Sequence, residues 1–275
     1  MKIKNITLIV LLGGLSLTSC KKEGCTDEAA TNYSEKAKKD DGSCVYEHNH
    51  DETGTLNIEV DYKWGMAGAD FNMETTLEHP MTGDELEFST FKYYISNFKL
   101  KNENGEWWSH PESYFLVDLS EGLDNPLKIE GVPVGNYTEM TYMLGVDSTR
   151  NVSGAQDGAL SVSHGMFWSW SNGYIMLKAE GTSPDSGSGS FAFHLGGFQG
   201  EYNIVTEKNV LFSSEDLVIE EDKTSAVHLI ANPARLWHGS PSVSETAMIH
   251  MPGEAAQTMA VNFYENIAFD RVENN

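Results

Sequence analysis

The chain has few basic residues and few cysteines. Of its 275 residues, 18 are Lys or Arg and 41 are Asp or Glu, which gives a formal net charge of −23. Nucleic acids and anionic lipid surfaces are bound by concentrated Lys and Arg, so neither is an expected partner for this protein surface. Three cysteines are too few for a disulfide-dense miniprotein. Hydrophobic residues make up 40% of the chain, enough for a real core and against general disorder.

The apolar run near the N-terminus is too short to span a bilayer, which takes about 20 residues. It covers Ile6 to Leu17 and follows two lysines, a pattern typical of a secretory signal, which we assign to residues 1–19. The motif Leu17-Thr18-Ser19-Cys20 resembles a bacterial lipobox. We therefore expect a cell-envelope protein that faces the periplasm or the cell surface and is held to a membrane only by acyl chains on Cys20. An ordinary signal peptide that happens to contain a Cys is the alternative.

The next segment, residues 20–54, is predicted to be a tether that carries a small Cys-bounded module. If Cys20 is lipidated, Cys25 and Cys44 remain as a pair in an oxidising compartment, where a disulfide is expected. The sequence between them resembles a short module common on surface proteins of Bacteroidetes. Three of its carboxylates offer hard oxygen ligands for calcium, although a solvated acidic turn is the simpler interpretation: Asp27, Asp40 and Asp41.

Residues 55–275 are predicted to form one all-β domain, an antiparallel β-sandwich or barrel-like fold. Apolar residues alternate with polar ones from Leu56 to Trp64 and again from Phe91 to Ile95, as half-buried strands require. The alternation changes parity at Phe98, which indicates a bulge. Asn104-Gly105 predicts a type I′ hairpin. Further strands are expected at 137–146, 174–179, 191–195, 209–212, 217–220 and 226–231, and one helix within 253–269.

Common enzymatic signatures are missing from the sequence. It has no GxSxG, HExxH, GxxxxGK[ST] or CxxCH motif and no GxGxxG after a strand. A catalytic triad need not be sequential, so a hydrolase is not excluded by this absence. The prediction is a protein without enzymatic activity of its own.

Two segments carry residues suited to a soft or borderline metal. In SHGMFWSW, an extended backbone would place His164, Met166, Trp168 and Trp170 on one face. Imidazole and thioether together suit copper, especially Cu(I), although an aromatic core segment would have the same pattern. In FAFHLGG, His194 points away from the apolar side of its strand, as a ligand or an ordinary surface histidine would.

Several motifs, in order across residues 55–270, resemble those of the MbnP-like family, the methanobactin-associated periplasmic copper-binding proteins. They are FKYYISNFKL at 91–100, PESY at 111–114 with LVD at 116–118, GVDSTRN at 145–151, GMFWSWSNGY at 165–174 and FHLGG at 193–197. The resemblance implies a β-rich secreted domain that is not an enzyme. It also implies one copper bound by histidines and by a tryptophan oxidised to kynurenine, with a di-haem peroxidase-like partner implicated in that oxidation.

The resemblance makes His194 the best ligand candidate, and Trp168 or Trp170 the candidate for oxidation. Many relatives have a histidine in the first strand, where this chain has Asp61-Tyr62-Lys63-Trp64. His164 or His250 is the expected substitute. The alternative function is a metal-free surface interaction or adhesion module that reuses the same fold.

Overall fold

The structure is a computed structural model that describes residues 22–28, 30, 32–44, 52–122, 126–154, 156–169 and 172–275. The predictions for Cys20 and Trp170 fall outside these residues. The chain divides into two compact units, residues 1–49 and 50–275.

The small unit is closed by a disulfide between Cys25 and Cys44, whose Cα atoms are 4.7 Å apart. This pairing confirms the sequence prediction. Cys25 is buried, and its carbonyl accepts a hydrogen bond from the Ser34 amide at 3.0 Å. Asp40 and Asp41 each accept a hydrogen bond from the backbone amide two residues on, so both carboxylates shape local turns. Calcium binding here stays a prediction.

The large unit consists mainly of β-strands. Among the described residues the strands are β1 Thr53–Trp64, β2 Ala69–Asp70, β3 Leu77–Glu78, β4 Glu85–Asn102, β5 Trp107–Ser109, β6 Tyr114–Asp118, β7 Leu127–Pro133, β8 Gly135–Leu144, β9 Phe167–Ser169, β10 Gly173–Thr182, β11 Ser190–Gly196, β12 Thr206–Leu211, β13 Leu217–Ile219, β14 Thr224–Ala231, β15 Met248–Ile249 and β16 Ala268–Glu273. The α-helices are α1 Ser148–Asn151 and α2 Glu254–Glu265, and 3₁₀ turns cover Leu119–Glu121, Gly158–Leu160, Val162–His164 and Pro233–Trp237. In the described part of the chain, no helix is both long and apolar enough to cross a bilayer.

The strands form two sheets. The smaller has the order β16-β14-β1-β2, with β7 also paired to β1, and the larger has the order β12-β8-β4-β10-β11-β15 with shorter strands attached. Most neighbours are antiparallel, in agreement with the predicted all-β sandwich. Two pairs are parallel, β1 with β14 and β11 with β15, which the local sequence pattern did not indicate.

The detailed strand predictions are largely confirmed. The parity change appears as a register shift between β4 and β8 at Ser96, next to Asn97 with φ of 54°. Asn104-Gly105 does turn the chain back, but the Asn102 amide donates to the Glu106 carbonyl at 2.9 Å, so the loop has three residues and is not a two-residue type I′ turn. The helix is shorter than its segment, because β16 begins at Ala268.

One apolar core lies between the sheets. Tyr62 of β1 and Tyr93 of β4 join the two sheets through a hydrogen bond of 2.7 Å between their hydroxyl groups. Trp237 is buried against Phe88, Phe191 and Phe193, with ring centroids 5.7–6.1 Å apart. The odd-numbered residues of β11 therefore face the core, and the even-numbered residues face outward.

Candidate metal site at the edge of the large sheet

The outer face of β10 and β11 carries a row of charged and titratable side chains. Lys178 of β10 pairs with His194 of β11, and Glu180 pairs with Ala192 one step along. Phe193, between the two outward residues of β11, is fully buried in the core. His194 therefore points outward, as predicted, with its side chain 18% exposed.

His250 lies directly beside His194. The parallel pairing of β11 with β15 places Phe193 opposite Ile249. The residues that follow these two along the chain, His194 and His250, therefore lie side by side. The Nδ1 atoms of the two rings are 3.2 Å apart, and the ring planes meet at 80° with centroids 4.6 Å apart. We call these two residues the histidine pair. His250, one of the two substitutes that the sequence suggested, thus lies beside His194, and its role as a ligand stays a prediction.

Glu180 fixes the orientation of His194. Its Oε1 atom lies 2.6 Å from Nε2 of His194 and 3.4 Å from Nζ of Lys178. Burial and the nearby Lys178 lower the pKa of His194, although the Glu180 carboxylate opposes the shift, so the ring is neutral near pH 7. A neutral ring that donates Nε2–H to Glu180 presents the lone pair of Nδ1 to His250.

A carboxylate behind an imidazole is a common way to hold a metal-binding histidine. Glu180 was missed by the sequence analysis. The signal that could have found it is the even-numbered pair Lys178 and Glu180 in an otherwise apolar strand, since both must share the outward face.

Trp168 packs against the same strand two residues beyond His194. A Cβ atom added to Gly196 would lie 2.5 Å from Cζ3 and 2.9 Å from Cη2 of Trp168, so the indole edge occupies the space that any side chain there would need. Trp168 is half-buried and contacts the core. Of the two tryptophan candidates, it is the one within the described residues.

The other soft-ligand candidates lie in different surroundings. A 3₁₀ turn contains His164 and Gly165 is left-handed, so the backbone before β9 is not extended and the common face expected for His164, Met166 and Trp168 is not formed. Nε2 of His164 lies 2.9 Å from the Gly158 carbonyl, and the residue lines a groove with Tyr114. Met166 is fully buried in the core. In the first-strand segment 61–64, where relatives have a histidine, the hydroxyl of Tyr62 forms a buried hydrogen bond with Tyr93.

The donor set fits a metal that accepts few ligands. Within the part of the chain that the structure describes, no group of three or more His, Cys, Asp and Glu side chains lies close enough to hold a metal ion. The histidine pair supplies two facing imidazole nitrogens on an accessible sheet edge. Two imidazoles suit copper and are a poor set for Ca²⁺ or Mg²⁺, which need several oxygens.

The remaining family-like motifs meet at a different place, around Asp147. The Asp147 carboxylate accepts hydrogen bonds from the Arg150 amide at 3.1 Å, from Asn97 Nδ2 at 3.2 Å and from the Tyr114 hydroxyl. Arg150 also forms an ion pair with Glu112. These residues, the Asp147 network, join β4, β6 and α1: Asn97, Glu112, Tyr114, Asp147 and Arg150. The motifs around Asp147 therefore hold the fold together.

Comparison with known proteins gives one family. The family model for MbnP matches residues 53–252. Among solved structures, MbnP from Methylosinus trichosporium is similar with a TM-score of 0.46 and 15% sequence identity, covering 76% of this chain and 83% of that one. The search of curated proteins gave no match. Because the family model covers most of the chain and nearly all of the β-domain, this protein belongs to the MbnP family.

Proposed function

We propose that the protein is a copper-binding lipoprotein of the cell envelope that handles the metal without catalysing a reaction. The observation that carries the proposal is the 3.2 Å approach of the two Nδ1 atoms of the histidine pair, with Nε2 of His194 held by Glu180. Because Nε2–H of His194 donates to Glu180, Nδ1 of His194 accepts the proton carried by Nδ1 of His250. Binding one ion between the rings moves that proton to Nε2 of the exposed His250, and both Nδ1 lone pairs then become available to the metal.

Copper is the metal that this donor set and the family favour together. Imidazole binds Zn²⁺, Ni²⁺ and copper, but copper binds most tightly in the order of divalent metals and also tolerates low coordination as Cu(I). In this proposal the bound metal is cargo and takes part in no reaction on the protein. His194 and His250 would hold it, and Glu180 would keep the His194 lone pair directed towards it.

The direct test is retention of Cu(I) against a competing chelator. Wild type is expected to retain one equivalent, and His194→Ala and His250→Ala are each expected to lose it. His164→Ala is the matched control, because that ring lies in the groove with Tyr114, and it should retain copper like wild type. Equal retention by wild type and His194→Ala would remove the assignment.

Oxidation of Trp168 would add a donor beside the pair. An indole nitrogen carries a proton and offers no lone pair to a metal, whereas kynurenine has an aryl amine and a ketone. We propose Trp168 as the oxidised residue and a di-haem peroxidase-like protein as the oxidising partner. Two molecules of hydrogen peroxide would open the indole ring to N-formylkynurenine with release of water, and hydrolysis would then release the C2 carbon as formate. Intact-mass analysis of native protein should show the exchange of one carbon for one oxygen, localised by fragmentation to the Trp168 peptide. An unmodified indole in copper-loaded native protein would contradict it.

The cell-envelope location is proposed from the signal-like N-terminus and the Cys25–Cys44 disulfide, which fits an oxidising compartment. Acyl chains on Cys20 would supply the anchor. In this proposal, a Cys20→Ser variant leaves the membrane fraction and appears as soluble or unprocessed protein. Wild-type membrane association of that variant would show that the lipobox assignment is wrong.

A metal-free interaction module is the second candidate. It is favoured by the finding that, among the described residues, His, Cys, Asp and Glu side chains form no group of three that could hold a metal. A ligand that binds only the native state must raise the melting temperature. An unchanged melting temperature over a range of copper concentrations would favour this alternative.

A further inference from the structure

The pairing that brings His250 to His194 also fixes the position of Met248. Ala192 of β11 pairs with Met248 of β15, one residue before Phe193 pairs with Ile249. The Ala192 amide donates to the Ala247 carbonyl at 2.8 Å, which holds this register. Side chains at paired positions of neighbouring strands lie on the same face, so Met248 projects outward beside Ala192.

Burial confirms which face each residue occupies. Ile249 packs against the core, as does Phe193 opposite it. Met248 is 58% exposed, which leaves its flexible thioether in the open at the edge of the sheet. The small side chain of Ala192 leaves space over β11 at this position. His250 directly follows β15 and lies against the outward-facing His194, so it is on the same outer face as Met248.

The outer face therefore has two adjacent rows. One row runs from Glu180 through Ala192 to Met248, and the next runs from Lys178 through His194 to His250. Alternate residues along an extended segment are about 6.6 Å apart, within reach of a side chain as long as methionine, and this is the spacing of Met248 and His250. The sulfur of Met248 can then approach the Nδ1 atoms of the histidine pair across the empty position left by Ala192.

We propose that Met248 is a thioether ligand of the proposed copper site, beside the two imidazoles, and that it makes the site select Cu(I). This inference rests on the proposed function. The thioether is a soft, uncharged donor that favours Cu(I) over Cu(II), for which it is a weak ligand. It also explains how a site with two imidazoles can hold a metal although no third His, Cys, Asp or Glu among the described residues joins them.

Met251 offers a matched control on the same segment. It is 68% exposed, but lies at an odd position past β15, opposite in parity to Met248 and His250. Met248→Leu and Met251→Leu keep the size and apolar character of the side chain and remove only the sulfur. Since both residues are exposed, neither variant is expected to change folding.

The experiment measures Cu(I) affinity against a competing chelator, Cu(II) affinity by titration, and copper X-ray absorption for the sulfur ligand. Met248→Leu should weaken Cu(I) binding by about tenfold, leave Cu(II) binding within about twofold of wild type, and lose the sulfur signal. Met251→Leu should match wild type in all three.

The outcomes separate the two proposals. If wild type binds no copper, the proposed function and this inference both fail. If wild type and Met248→Leu retain Cu(I) equally while His194→Ala does not, the copper site stands and the role of Met248 is wrong. A sulfur signal that persists in Met248→Leu and disappears in Met251→Leu would assign the thioether to Met251 instead.

Discussion

The Asp147 network and the histidine pair lie in the same domain and are held in different ways. Asp147 joins three elements through a helix cap, an amide and a phenol, within residues that form recognisable motifs. The histidine pair depends on a strand of two residues, β15, whose sequence shows no strand pattern. The family-like motifs around Asp147 therefore stabilise contacts between elements of the fold. The proposed copper site depends instead on a short strand at the edge of the large sheet.

The largest expected effect is a loss of stability on substitution of Asp147 in the Asp147 network. Asp147→Ala removes the cap of α1 and takes away the carboxylate that accepts hydrogen bonds from Asn97 and Tyr114. We expect the free energy of unfolding to fall by about 3 kcal/mol, and the melting temperature by roughly 10 °C. Copper bound per folded molecule should not change. Calorimetry with and without copper checks both statements.

Asp157→Ala is the control for this change, since Asp157 precedes a 3₁₀ turn without forming a side-chain cap. It should cost at most about 0.5 kcal/mol.

Burial alone would raise the pKa of Asp147, but hydrogen bonds from Tyr114, Asn97 and the backbone lower it overall. The stability it adds is present above the usual pKa of Asp and is lost as the pH falls through the lowered value. Asp147→Ala should lose that part of the acid sensitivity.

Gly196→Ala tests the packing beside the histidine pair. The new methyl group would collide with the Trp168 ring and with the Tyr174 carbonyl, 2.8 Å away. We expect a loss of about 2 kcal/mol from overpacking, a shifted tryptophan fluorescence and weaker copper binding. Gly187→Ala, whose added Cβ meets no atom within 4 Å, should change none of the three. Unchanged fluorescence in Gly196→Ala would contradict the placement of Trp168.

Glu180→Gln tests the site without touching the core. Glutamine keeps an oxygen near Nε2 of His194 but removes the charge that holds the ring, so copper affinity should fall by about tenfold, with little change in melting temperature. Glu87→Gln on β4 makes the same charge change at an exposed position and serves as control. If both variants bind copper equally, Glu180 does not position His194.

The smallest expected effect is on the pH dependence of stability and concerns His79, whose two ring nitrogens both have hydrogen-bond partners. Nδ1 of His79 accepts from the Thr82 amide at 3.1 Å, and Nε2 contacts the Ala234 carbonyl at 2.9 Å, so the buried ring is neutral. Burial lowers its pKa, and its contribution to stability is therefore complete above the unfolded value near 6.5 and is lost as the pH falls below it. The slope is at most about 1.4 kcal/mol per pH unit.

His79→Leu should reduce that slope between pH 6.5 and 5, as denaturant unfolding at several pH values would show, with the range set by the usual histidine pKa of about 6.5. Copper binding at pH 7 should be unaffected. An identical pH profile in wild type and variant would mean that His79 is not the group that titrates.

The sequence predicted the strands because their alternation is local, and it placed His194 outward for the same reason. It could not pair His194 with His250, because their contact depends on a parallel register between segments far apart in the chain. The shared face expected for His164 and Trp168 failed because Gly165 adopts a left-handed conformation that turns the chain. Alternation predicts the direction of a side chain within its own strand, and cannot identify which strand lies next to it.

A strand as short as β15 can separate from the sheet at low free-energy cost, and each separation would carry His250 away from His194. An ion bound by both rings would link β15 to β11 and make this separation less frequent. The backbone amide of Ala192, bonded to the Ala247 carbonyl, exchanges its proton with solvent only when this edge opens. Its hydrogen-exchange rate would therefore report metal occupancy from the backbone, independently of any signal from the metal itself.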